Sequence, residues 1–290
     1  MAEYRWLLVV AWVGLLFACG GEQSAHSVPD KTLGAQRIIT LSPHLTEQVY
    51  SAGAGNRLVG VVAYSDFPEA AKALPLVGDA FRLDYEVLVA LEPDLVLAWD
   101  TGTPVEVIER LQSLDLRVVT VETSSLVSIA DNLRLIGELA GSSEQAEAAA
   151  EKYLEALAEL GAPADAAPVR VFYQVASQPL FTVSGNHVIS ESIELCGGKN
   201  IFAELDELSP AVSTEAVVER KPDAIIAGHF TADEVIAREA LSAWRLWGSM
   251  PAVANDHLYL VNANKLHRSS VRIVEGVAEL CQRIGAARNH

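Results

Sequence analysis

Residues 86–98 read EVLVALEPDLVLA and residues 215–227 read EAVVERKPDAIIA. The two stretches agree at the leading glutamate, at Val89 and Val218, at Pro-Asp and at the closing alanine, with one constant offset of 129 positions. Each reads as a short helix that stops before a proline, since the residue ahead of proline is disfavoured in helical geometry. A buried strand follows. Asp84 and Ser213 stand two places before the glutamates and can cap the helix starts. A helix-turn-strand unit that occurs twice implies either two related α/β lobes or a chance recurrence of a common pattern.

The flanking sequence favours the two lobes. From Arg37, apolar β-rich runs alternate with helical ones: RIITL, a helix over Thr46 to Ala54, RLVGVVAY, a helix over Tyr85 to Leu91, DLVLAW, a helix over Val105 to Leu114, RVVTV, then a helix over Ile129 to Ala140. Residues 142–160 place Ala146, Ala149, Ala150, Tyr153, Leu157 and Leu160 on one face of an amphipathic helix. Gly161-Ala162-Pro163 ends it, and from Val169 strands begin again with VRVFYQV, DAIIAG and HLYLV. The expected fold is therefore two Rossmann-like lobes, 37–140 and 164–290, joined by a single long connecting helix over 141–163. One stiff connection predicts small closure between the lobes.

The chain has 290 residues, half of them hydrophobic and 20% charged, which suits a folded body and excludes disorder. A formal charge of -17 with no basic stripe excludes nucleic-acid binding. Trp6 to Ala18 is apolar behind Arg5, too short to span a bilayer and within signal-peptide range. It ends in Leu16-Phe17-Ala18-Cys19-Gly20, which resembles a lipobox: residues 1–18 would be removed, Cys19 lipidated, and the polar residues 19–36 left as a tether. In an oxidising compartment the remaining Cys196 and Cys281 form one bridge or remain buried thiols.

Ligands of open α/β sheets collect beyond the carboxyl ends of the strands. There the sequence is aromatic: RLVGVVAY ends in Tyr64, DLVLAW ends in Trp99, and the loop after VRVFYQV carries Phe181. Rings at such places suit a large, flat, partly apolar ligand. No nucleophile elbow, P-loop, zinc-helix motif or dinucleotide fingerprint is present, so no enzyme, cofactor or metal centre is expected. His44 and His187 read as loop residues, either of which can serve haem iron.

These segments resemble the cobalamin-binding periplasmic proteins of ABC importers, class III substrate-binding proteins with a long connecting helix. The resemblance runs from about Arg37 to Ile284 and is carried by RIITLSPHLTE, VGVVAYSDFPEAA, LVALEPDLVLAW, LFTVSG, ELCGGKNIF and VSTEAV. It implies that Tyr64, Trp99 and Phe181 contact a corrin and that Arg268 is a pocket arginine donating hydrogen bonds to the ligand. It also implies that Cys196 and Cys281 are bridged, and that Glu86 and Glu215 meet the membrane subunits of the importer. Ala80, Ser209 and Asn264 stand where the family pattern has two tryptophans and an aspartate, with Phe81 able to supply a missing face. A monomeric, periplasmic, non-catalytic receptor for cobalamin follows from the resemblance; cobinamide, haem or a ferric siderophore are the alternative ligands.

Overall fold

The computed structural model describes residues 34–79, 82–163, 166–231 and 234–288. The apolar leader over residues 1–18, Cys19, the tether up to residue 33 and Phe81 lie outside the described residues. The end of the expected tether belongs to the first lobe: Ala35 is buried, and its N–H donates to the Leu139 carbonyl at 2.8 Å.

The first lobe runs β1 (Ile38–Thr40), α1 (Pro43–Ser51), β2 (Leu58–Val61), α2 (Tyr85–Ala90), β3 (Leu95–Trp99), α3 (Val105–Gln112), β4 (Val118–Val121) and α4 (Ser128–Ala140). Its sheet is parallel, in the order β2-β1-β3-β4. After α5 (Ser143–Ala158) the second lobe runs β5 (Val169–Gln174), the hairpin β6 (Ala176–Ser177) and β7 (Leu180–Phe181), α6 (Val188–Leu195), β8 (Gly198–Asn200), α7 (Thr214–Arg220) and β9 (Ala224–His229). It closes with α8 (Glu234–Ser242), α9 (Pro251–Ala254), β10 (Leu258–Asn262), α10 (Ala263–Leu266) and α11 (Ile273–Arg288). Its parallel sheet has the order β8-β5-β9-β10, the same path as the first with β5, β8, β9 and β10 in the places of β1, β2, β3 and β4. Strands covered on both faces need apolar residues in succession, which is why DLVLAW and DAIIAG do not alternate.

The repeated sequence is a repeated joint. Asp84 Oδ1 accepts from the N–H groups of Glu86 and Val87 at 3.1 Å, and Ser213 Oγ accepts from that of Ala216 at 3.2 Å. Leu88 and Val217 are the buried residues of the two short helices, each worth about 1.5 to 3 kcal/mol in transfer from water. Both helices give way to a left-handed residue immediately before proline, Glu92 at φ +45° and Lys221 at φ +46°. The aspartate after the proline then fastens the neighbouring strand: Asp94 accepts from the Arg37 N–H at 3.0 Å, and Asp223 from the Arg170 N–H at 2.9 Å. Arg37 and Arg170 return the contact, donating to the carbonyls of Leu91 and Arg220 at the ends of the two helices.

Three elements differ in their bounds from the sequence reading. Helix α1 starts at Pro43 rather than Thr46, because Ser42 caps it by accepting from the Leu45 N–H and proline suits the first turn. This puts His44 inside the helix, and His187 is the residue that caps α6; neither lies on an open loop. Strand β2 stops at Val61, three residues short of Tyr64. The connecting helix is α5, shorter at both ends than 141–163, because Gly141 at φ +68° separates it from α4. The two helices lie close enough that a Cβ on Gly137 would come 2.3 Å from the Ala146 Cβ.

One apolar core passes through both lobes, taking in Leu45 and Val49 of α1, Tyr153 of α5, Val171 and Tyr173 of β5 and Ile273 of α11. Cys196, at the end of α6, and Cys281 of α11 are joined in a disulfide.

Candidate functional site

In a sheet of order 2-1-3-4 the chain reverses direction of travel between the first and third strands, and the loops there part to leave a crevice. Trp99 is the last residue of β3 at that point. Its N–H donates to Thr103 Oγ1 at 3.0 Å, and Gly102 lets the loop fold over the indole, since a Cβ there would lie 1.9 Å from the ring. The His44 ring, carried to the same point by α1, meets the indole edge-on with centroids 5.1 Å apart. Burial, and then the charge of Arg268, lowers the His44 pKa to about 4, so the ring is neutral.

Tyr64 sits beyond the end of β2 with left-handed backbone (φ +67°) and is 80% exposed. Left-handed geometry is costly for a bulky residue and marks a site held by its surroundings. What holds it comes from the other lobe: Arg268 Nη2 donates to the Tyr64 carbonyl at 3.1 Å, and Arg268 Nη1 to Asp66 Oδ1 at 2.6 Å. Phe181 lies on the hairpin of the second lobe, half-buried, with backbone pairings to Ala176 and Ala211 of its own lobe. Tyr64 and Arg268 are thus brought together, Trp99 stands beside His44 within reach of the Arg268 charge, and Phe181 lies on the hairpin of the second lobe, with no contact to these residues among those described.

Arg268 has partners within the protein. Its guanidinium is nearly buried and already engaged, donating to Asp66, to Tyr64 O, to Asn264 Oδ1 at 3.4 Å and to Glu47 Oε1 at 2.9 Å. Burial opposes its charge, but its hydrogen bonds to Asp66 and Glu47 outweigh that and hold its pKa above the ordinary arginine value. The same guanidinium keeps Asp66 below the usual carboxylate range against the opposing effect of burial. Arg268 is a tie between the lobes.

Glu47 is the centre of that tie and was not singled out from the sequence. Its carboxylate is buried on α1 and also accepts from Ser270 Oγ at 2.6 Å and Arg272 Nη1 at 3.1 Å. Two carboxylates and two guanidiniums therefore balance, as buried charge requires. Gln48 adds a hydrogen bond from its side-chain nitrogen to the Ser269 carbonyl. A second tie stands at the matching place of the other lobe, where Glu191 Oε2 of α6 accepts from the Leu126 N–H at 2.6 Å. Glu47 and Glu191 are 144 residues apart, and so are their partners Leu126 and Ser270, which precede the last helix of each lobe. The only signal in the sequence was a glutamate on the inner face of a helix.

His187 accepts from the Ile189 N–H through Nδ1, and burial lowers its pKa to about 4. His267 Nε2 is bonded to the Tyr173 hydroxyl at 2.7 Å, and its pKa is likewise lowered to about 4 by burial and by His187. Among the described residues no group of three or more His, Cys, Asp or Glu side chains is placed to hold a metal ion. Glu86 and Glu215 are exposed in the first turns of α2 and α7, at equivalent points of the repeat. Asn264 lies on α10 beside Arg268, and Ser209 precedes the stretch that pairs with β7.

A profile of the periplasmic binding protein family matches residues 38–264. The vitamin B12-binding protein of Vibrio cholerae serotype O1 is 35% identical over 268 residues, covering 92% of this chain and 95% of the relative. The crystal structure of the periplasmic vitamin B12 binding protein BtuF of Vibrio cholerae superposes with a TM-score of 0.79 at 33% identity, covering 89% of this chain and all of that one. The periplasmic heme-binding protein RhuT from Roseiflexus sp. RS-1 has a TM-score of 0.75 at 20% identity, a likeness of fold, over 88% of this chain and all of that one.

Proposed function

Because this chain belongs to the periplasmic binding protein family, we propose that it is an extracytoplasmic receptor that captures a corrinoid, cobalamin first among them, between its lobes and delivers it to an ABC importer. The observation that carries the reading is the presence of Trp99 at the reversal point of the first sheet and of the exposed Tyr64 beyond the end of β2, in a chain whose 35% identical relative is named for vitamin B12. Rings of this kind offer large apolar faces with few rotatable bonds to freeze. Phe181 completes the wall from the second lobe, and Arg268 holds Tyr64 in place. The protein binds and releases its ligand without converting it. Its export follows from the leader and its anchorage from Cys19.

Glu86 and Glu215 are read as the contacts to the two membrane subunits, one carboxylate per lobe on a pseudo-twofold arrangement. Glu86→Arg and Glu215→Arg are each expected to impair uptake while leaving ligand affinity unchanged, with the double variant worst. Normal uptake by the double variant removes the docking role.

Calorimetric titration with cobalamin, cobinamide, haem and ferric siderophores tests the main reading. Micromolar or tighter binding of a corrinoid is expected. Binding confined to haem or a siderophore rejects it. The haem reading meets an obstacle in the structure, since His44 is buried, His187 is half-buried, and both are already hydrogen-bonded.

A further inference from the structure

The crevice has a ring from the first lobe at its reversal point, and the repeat shows what the second lobe places there. The offset of 129 makes Gly228 the counterpart of Trp99. No side chain fits at Gly228, because a Cβ would come 2.7 Å from His267 Nε2 and 3.0 Å from the Tyr173 hydroxyl oxygen. Two residues further on, past the end of β9, Phe230 is 65% exposed. Its ring meets His267 edge-on, centroids 5.6 Å apart and planes at 83°, against 5.1 Å and 87° for Trp99 and His44. Each lobe therefore supports one ring at the end of its third strand on the edge of a neutral histidine, His44 buried and His267 half-buried.

Hydrogen bonds also link Phe230 to the first lobe. Its carbonyl accepts from Asn264 Nδ2 at 3.3 Å, Asn264 Oδ1 accepts from Arg268 Nη2, and that same nitrogen donates to the Tyr64 carbonyl. A single exposed phenylalanine on a protein surface needs no explanation. One backed by a histidine like its counterpart, and tied through two side chains to the loop that carries Tyr64, does.

We propose that Phe230 is the ring the second lobe presents to the ligand, packing on the apolar surface of the corrin as the counterpart of Trp99. The proposal rests on the corrinoid-receptor reading and adds to it a residue that sets affinity. Truncating a ring buried against a ligand commonly weakens binding by about tenfold or more.

The test is calorimetry of the full-length wild type, Phe230→Ala, Phe230→Trp and the exposed-leucine control Leu246→Ala, each titrated with cobalamin and with cobinamide. Cobinamide keeps the corrin and lacks the nucleotide loop. Phe230→Ala is expected to weaken both ligands by about tenfold, Phe230→Trp to stay within about threefold of wild type, and Leu246→Ala to match it. Thermal midpoints should agree across the set because Phe230 and Leu246 are exposed. Unchanged affinity of Phe230→Ala for both ligands, or a loss limited to cobalamin, overturns the assignment and leaves the receptor reading standing. A wild type that binds neither corrinoid removes both.

Discussion

The seam between α1 and α4 in the first lobe and the seam between α6 and α11 in the second are the same joint built by different means. Ala52-Gly53 ends α1 and Cys196-Gly197 ends α6, each with a left-handed glycine. Cys281 of α11 is bonded to Cys196, and Gly137 of α4 is the residue at the matching spacing of 144 in the first lobe. In the first lobe a further helix, α5, covers the seam, and Gly137 is small because Ala146 occupies the space its side chain would need. In the second lobe the disulfide between Cys196 and Cys281 takes the corresponding place. Packing closes the joint in the first lobe, and covalent chemistry closes it in the second.

The largest expected effect comes from breaking the covalent version. With a sequence separation of 85 residues, loss of the bridge through Cys196→Ala with Cys281→Ala should cost about 4 to 5 kcal/mol on the chain-entropy account, read from denaturant unfolding of the non-reduced and variant proteins. A drop well under 1 kcal/mol would show that α11 is held by its apolar face alone. Next comes Glu47→Gln, which leaves Arg272 without its buried carboxylate and should cost about 3 kcal/mol. Glu191→Gln, whose partner is a backbone N–H, should cost nearer 1 kcal/mol. Equal penalties would mean that the two ties are equivalent despite their different partners. Gly137→Val attacks the packed seam and should cost about 2 kcal/mol through overpacking against Ala146, whereas a silent variant would show that α5 can slide.

The smallest effect is acid sensitivity, and it also separates the lobes. His44 lies in the first, His187 and His267 in the second, each with its folded pKa lowered to about 4. An unfolded histidine takes up its proton near pH 6.5, so the stabilisation is complete above that value and is lost as pH falls toward the folded pKa. Each histidine should account for about 1 kcal/mol of lost stability between pH 7 and pH 5.5. Hydrogen exchange over that range should loosen the second lobe ahead of the first, and His267→Gln should reduce the difference.

Much of this was legible in the sequence, and the reason lies in where the repeat keeps its spacing. The stretch from Glu86 to Ala98 has no insertion relative to its copy, so its caps, buried anchors and Pro-Asp joint align by eye. Elsewhere the offset shifts. Arg37 and Arg170 are 133 apart; past them the second lobe holds a hairpin after β5, and the pairs Glu47 and Glu191, Ala52 and Cys196, and Gly137 and Cys281 are 144 apart. With few residues at each new offset, no pattern stands out, and the interlobe ties stayed hidden. Arg268 was found through family likeness, but its partners were not, because a guanidinium's surroundings depend on which loops meet after folding. Tyr64 was read as the end of a strand because its apolar run continues past Val61, whereas pairing stops where the chain turns left-handed. Phe230 escaped because its place is marked in the first lobe by Trp99, two residues earlier in register.

The shared core has a kinetic consequence. Lobes hinged on a flexible crossing can part widely and exchange ligand by free diffusion, but here apolar side chains from α1, α5, β5 and α11 form one interior across the boundary. Wide separation would expose that interior to water, and the two glutamate ties would have to break with it. Residence time is then set by small excursions of the crevice walls, which slows escape more than it slows entry. Whatever empties the crevice quickly must push the lobes apart and do work against the core, so the rate of unloading becomes a property of the docked complex rather than of the receptor alone.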